Sequence, residues 1–170
     1  MRHILALTLL AVAPLVSQSP PKLDPAWVKS DSAASRVEVT LTAGLTGTNG
    51  GMNFNGASAG GLTLTVPVKW TVVLHFVNND QVLPHSVMVI PATMPVPVTA
   101  TAPAIPHAVT RNPDQGLSSD THQDVQFVAD RPGAFLLYCA VPGHGAAGMW
   151  IHFDISGTAH APELVVTPKR

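Results

Sequence analysis

Residues 134–155 read Ala134-Phe135-Leu136-Leu137-Tyr138-Cys139-Ala140-Val141-Pro142-Gly143-His144-Gly145-Ala146-Ala147-Gly148-Met149-Trp150-Ile151-His152-Phe153-Asp154-Ile155. Both ends have the period-two alternation of a β-strand with one buried face. Phe135, Leu137 and Cys139 fall in phase on one strand, and Met149, Ile151, Phe153 and Ile155 on the other. The Pro-Gly-rich segment between them is a loop. It places a cysteine, a histidine five positions on and a methionine five further where they converge on one point. Thiolate, imidazole and thioether, completed by one more imidazole, make the His₂Cys set with a weak axial Met that binds copper in blue-copper sites.

The second imidazole stands in Leu83-Pro84-His85-Ser86-Val87, just after the turn-forming Asn78-Asn79-Asp80. His85 is expected to open a strand over 85–90. The candidate metal ligands are therefore His85, Cys139, His144 and Met149, holding one copper that cycles between Cu(I) and Cu(II). Soft sulfur donors favour Cu(I), imidazoles serve both states, and a constrained loop leaves little to rearrange when an electron arrives.

Blander readings exist for each residue alone. A single cysteine at a strand end is commonly an inert core residue, and a Met before an apolar strand is commonly core. Neither accounts for the joint pattern of Pro-Gly before one His and Pro before the other. Structural zinc sites use Cys and His ligands rather than a thioether. A nucleophilic cysteine would leave Met149 and His85 unexplained. His75 and His152 fall on strand faces opposite the core, His107 and His122 lie in a long connection, and His160 lies near the C-terminus. These five are expected to be solvated.

Outward from this segment, strands are expected over 36–45, 62–66, 70–77 and 125–129. Residues 44–61 are a Gly/Asn/Ser-rich loop anchored by Phe54. The stretch from Pro91 to His107 carries five prolines and no charge, so it is neither helix nor central strand. With its continuation to Gln123 it is a long connection expected to hold local turns or a short helix. The sum is an all-β chain of about seven to eight strands, packed as a Greek-key β-sandwich.

The bulk numbers agree. The 170 residues contain 11% Asp, Glu, Lys and Arg, a formal net charge of −1 and one cysteine. One domain of this size can bury a core without disulfides. The weak, balanced charge gives no field to recruit nucleic acid. Residues 1–19 carry Arg2, then an apolar run of about 13 residues with small residues after it. That is short of the roughly 20 needed to span a bilayer. It reads as a signal peptide or a short N-terminal anchor, so the chain is exported, periplasmic or extracellular, or held at a membrane. Residues 20–35 are expected to be a leader, 36–156 the domain, and 157–170 a fraying tail.

These motifs resemble the cupredoxin family, and within it the sulfocyanins most. The matching pieces are Asn53-Phe54-Asn55-Gly56, Val66-Pro67 with Trp70-Thr71-Val72, Phe76-Val77-Asn78, Pro84-His85-Ser86, and Cys139-Ala140-Val141-Pro142-Gly143-His144 with Gly148-Met149-Trp150. The resemblance implies a Greek-key sandwich and one copper used for one-electron transfer. It also implies equatorial His85, Cys139 and His144, axial Met149, and a hydrogen bond from the Ser86 N–H to the Cys139 sulfur.

Other copper chemistries lack their parts. Tyr138 and Ala140 flank Cys139, so no His-Cys-His run leads to a second copper centre. One cysteine cannot build a two-copper thiolate site, and four protein ligands leave no open position for a substrate. The chain is expected to be no enzyme but a monomeric electron carrier meeting redox donors and acceptors transiently. The alternative is a copper carrier or chaperone without a dedicated electron-transfer role. No formal charge occurs over 81–110 or 132–153. Docking is therefore expected at an apolar patch of Pro142, Gly143, Ala146 and Ala147 beside His144.

Overall fold

The structure is a computed structural model describing residues 21–168, so the expected export segment 1–19 lies outside the described residues. Among the described residues, nine strands form two sheets. One sheet runs β1 (Val28–Asp31), β2 (Arg36–Ala43), β4 (Thr71–Asn78), β6 (Thr121–Val128). The other runs β5 (Met88–Pro91), β7 (Gly133–Tyr138), β8 (Trp150–Ser156), β3 (Leu62–Pro67), β9 (Glu163–Val166). Pairs β2–β4 and β3–β8 are parallel and the remaining pairs antiparallel. No α-helix occurs among the described residues.

Alternation drives the sandwich. β2 buries Val37, Val39, Leu41 and Ala43 and turns Arg36, Glu38, Thr40 and Thr42 outward. β8 buries Ile151, Phe153 and Ile155 in the same way. The two inner faces meet in one core that includes Val72, Leu74 and Phe76 from the first sheet, with Trp70 just before β4, and Leu62, Leu64, Leu137 and Phe153 from the second. Each such side chain contributes about 1.5–3 kcal/mol relative to leaving it in water. Phe54 is fully buried and meets Phe76 edge-on, as its expected anchoring role requires.

Several elements differ from the sequence expectation. The segment 20–35 contributes β1, which pairs with β2 through a turn capped by the Asp31 carboxylate on the N–H groups of Ala33 and Ala34. The expected tail is not frayed at 163–166: β9 covers the edge of β3, with Leu164 and Val166 against the core. An unpaired β3 edge would expose a row of backbone donors and acceptors. β6 begins at Thr121 rather than Val125, because its first half pairs with β4 while facing solvent. The strand expected at 85–90 is Met88–Pro91, and His85 stands before it.

The long connection, 92–120 between β5 and β6, consists of turns and contains no helix. It lies over the outer face of the second sheet, where Met88, Ile90, Leu136, Tyr138 and Ala140 form a second small core. Val96, Ala100 and Val109 of the connection pack on it. The Tyr138 hydroxyl donates to the Pro97 carbonyl at 3.0 Å. The Gly143 N–H donates to the Val98 carbonyl at 3.0 Å, so the connection also braces the loop between β7 and β8.

Candidate metal centre

Three chain segments meet at one end of the sandwich. Cys139 follows the last residue of β7 and Met149 precedes the first of β8, and the Tyr138–Trp150 pair closes the ladder there. The loop folds on itself through Cys139 N–H to the Met149 carbonyl at 3.0 Å and Met149 N–H to the His144 carbonyl at 2.9 Å. Further bonds run from His144 N–H to the Val141 carbonyl and from Ala147 N–H to the Gly143 carbonyl. From outside, Asn49 Nδ2 donates to the Ala147 carbonyl at 2.9 Å and Ala59 N–H to the Gly148 carbonyl at 2.7 Å. The Gly/Asn-rich loop 44–61 is thus a buttress for the ligand loop.

His85 is fixed by a two-way backbone bridge with Leu117, at 3.2 and 2.7 Å. Asn78, fully buried at the end of β4, ties this arrangement together. Its Nδ2 donates to the carbonyls of Leu83 and Leu117, and its Oδ1 accepts from the Asp80 N–H. Sequence reasoning saw Asn78 only as a turn former. Its place in phase with Val72, Leu74 and Phe76 at the end of an alternating strand was the available signal.

The predicted donors come together. His144 Nδ1 lies 3.7 Å from Cys139 Sγ and 3.3 Å from His85 Nδ1, and His85 Nδ1 lies 4.0 Å from Cys139 Sγ. They are the one such cluster of three or more His, Cys, Asp or Glu donors found among the described residues, with one ligand atom from each all within 4.8 Å. Met149 is fully buried beside them in the core. His85 and Cys139 are buried completely, whereas His144 is partly exposed. The Ser86 N–H points at the Cys139 sulfur at 3.4 Å, and the Ser86 hydroxyl accepts from the Ala140 N–H at 3.0 Å. None of the other five histidines among the described residues joins: His107, His122 and His160 are exposed, and His75 and His152 sit half-buried on outer sheet faces.

The electrostatics suit a metal. Burial pushes the Cys139 thiol up, against the opposing N–H groups of Ser86 and Val141 and the Ser86 hydroxyl. Without metal the sulfur therefore keeps its proton, and metal uptake releases it. Burial lowers the pKa of His85, partly offset by Asp80. Burial also lowers His144, reinforced by the neighbouring His85 and opposed by Asp80. Both rings are thus held neutral, the form in which a ring nitrogen can ligate. Two neutral imidazoles, a buried sulfur and an adjacent thioether are arranged as a type 1 copper site.

The depressed histidines carry a stability consequence. The unfolded chain takes up protons near the ordinary histidine pKa of about 6.5, while the native rings resist until lower pH. Their stabilising contribution is present above that value and is lost as pH falls toward the native pKa values. The melting temperature of the metal-free protein is expected to drop on acidification through this window. His144→Gln should flatten the drop, and an unchanged slope in that variant would contradict the assignment.

Comparison with known proteins agrees with this geometry. A family model described as the Sulfocyanin (SoxE) domain matches residues 25–166. The chain belongs to the sulfocyanin family. A curated family relative, sulfocyanin from Sulfolobus acidocaldarius, is 31% identical over 121 residues, covering 67% of this chain and 60% of the relative. The chain thus matches somewhat less than two thirds of that sulfocyanin's length. Among solved structures, reduced rusticyanin superposes with a TM-score of 0.55 at 22% identity, covering 72% of this chain and 80% of that one. Dithionite-reduced auracyanin from Roseiflexus castenholzii gives 0.50 at 17%, covering 70% and 96%. These two likenesses establish the cupredoxin fold of this sulfocyanin-family chain. No helix among its described residues is long and apolar enough to cross a membrane.

Proposed function

We propose that this chain is a type 1 copper protein that carries single electrons between redox partners outside the cytoplasm. His85, Cys139, His144 and Met149 would hold the copper, the two imidazoles and the thiolate as the main ligands and the thioether as a weak fourth. The observation that carries this reading is the convergence of two imidazole Nδ1 atoms and one thiol sulfur at a buried point, with a backbone N–H aimed at the sulfur. The copper supplies the reversible one-electron change. The protein holds the donors in place, excludes water from three of the four ligands, and leaves the His144 edge within reach of a partner.

Copper titration should give one ion per chain and an intense visible thiolate-to-copper band that bleaches with reductant and returns with oxidant. Copper binding without that band, or ready surrender of the metal to a weak chelator, would favour the carrier or chaperone reading instead. Export and the N-terminal signal or anchor remain part of this proposal. They rest on the residue pattern of 1–19.

Electrons are proposed to pass at the apolar surface around His144. Pro142, Ala146 and Ala147 are exposed there, Gly143 and His144 half so. Val98, 61% exposed, is brought alongside by the Gly143 bond. Small apolar contacts suit transient redox encounters. Electron exchange with a partner should therefore change less than about threefold between low and physiological salt, because no formal charge lines the patch. A steep ionic-strength dependence in stopped-flow kinetics would refute this docking site.

A further inference from the structure

Asp80 lies on the short loop between β4 and His85, and its side chain is 11% exposed. Its two carboxylate oxygens have separate tasks. Oδ1 accepts the N–H groups of Val82 and Leu83 at 2.8 and 2.9 Å, which shapes the loop. Oδ2 faces His85 Nε2 at 3.3 Å. The Nδ1 atom of the same ring is the one turned toward Cys139 and His144.

The fold makes room for this carboxylate from the opposite side. Gly51 has φ +91°, in the region glycine favours, and a Cβ there would lie 2.2 Å from Asp80 Oδ2. A side chain at 51 and the carboxylate at 80 cannot both occupy that space. A surface carboxylate with only a loop-capping task would need no such clearance around its second oxygen.

We propose that Asp80 is a positioning residue for the metal centre. Oδ2 holds the proton on His85 Nε2, which keeps the Nδ1 lone pair free for copper, and its negative charge biases the bound ion toward Cu(II). This rests on the copper reading above and adds to it a determinant of affinity and potential. A histidine ligand whose other nitrogen is held by a carboxylate has a fixed tautomer and greater basicity, and losing such a partner typically lowers metal affinity about 10–100-fold.

Asp80→Asn separates the two tasks. An amide has one acceptor oxygen, so it can cap the loop or accept from His85 but not do both. The variant should bind Cu(II) about 10–100-fold more weakly. Its Cu(II)-to-Cu(I) affinity ratio should fall about tenfold, which raises the reduction potential by about 59 mV. In the metal-free wild-type protein at neutral pH, ¹⁵N chemical shifts should show the His85 proton on Nε2.

A metal-free His85 protonated on Nδ1 would overturn the proposal. So would a variant whose melting temperature falls while its potential and Cu(II) affinity match wild type, since that would leave Asp80 only a loop brace. If the variant fails to fold, the wild-type tautomer still decides. Failure of the copper reading itself is read separately, from a wild-type protein that shows no visible charge-transfer band.

Discussion

Serine at position 139 is expected to leave a folded protein that has lost the intense visible band of the wild type entirely. The hydroxyl does not ionise near neutral pH, and oxygen lacks the soft character that suits copper in both oxidation states. The fold should survive because little else at the position depends on sulfur. The Cys139 N–H bonds to the Met149 carbonyl through the backbone, and a hydroxyl can accept from the Ser86 N–H as the sulfur does. Burying a hydroxyl in this fully enclosed place costs about 1–3 kcal/mol. The melting temperature of the metal-free form should thus fall by several degrees. Residual copper binding through His85 and His144 would be weaker and nearly colourless. Absorption spectra of both proteins with equimolar copper check this, and a wild-type spectrum from Cys139→Ser would sink the central assignment.

That prediction could be written from the sequence because strand parity and ligand spacing are both local patterns. Cys139 continues the phase of Phe135 and Leu137, and Met149 opens the phase of Ile151 and Phe153. Their arrival at one end of the sandwich follows once the two strands pair, as the Tyr138–Trp150 register does. His85 was marked by its Pro-His context, although the strand expected to carry it is shorter and starts three residues later. What escaped depends on partners distant in sequence. Asp80 reads as turn chemistry until Gly51 and His85 are brought against it. β1 and β9 have four residues each and lie at sheet edges, too short for alternation to identify them. The connection after β5 has no periodicity at all, yet its scattered Val96, Ala100 and Val109 form the cover of a second core. Such a cover is set by the shape of the face beneath it, and nothing in a loop's own composition reports that shape.

The second core explains why Gly145→Ala should be the most damaging small substitution in the ligand loop. A Cβ at 145 would lie 1.7 Å from Cε2 of the Tyr138 ring and 2.4 Å from Cδ2, well inside van der Waals contact. Tyr138 is fully buried among Met88, Ile90, Leu136 and Ala140, with its hydroxyl bonded to the Pro97 carbonyl. If the ring yields, that packing and that bond are disturbed together. If the loop yields instead, it carries His144, the adjacent residue, away from its 3.7 Å approach to the Cys139 sulfur. Overpacking of this kind costs about 1–3 kcal/mol. The metal-free protein should thus melt several degrees lower, at about 2–4 °C per kcal/mol. Movement of the loop would also shift or weaken the visible band. Tyr138→Leu removes the obstructing ring at the expense of a cavity, so the double variant should be less destabilised than the sum of the singles. The expected coupling is about 0.5–3 kcal/mol, as for residues in direct contact. Strict additivity in denaturant titrations of the four proteins would show that the ring and the loop do not compete for this space. A Gly145→Ala protein with wild-type melting and spectrum would show the same.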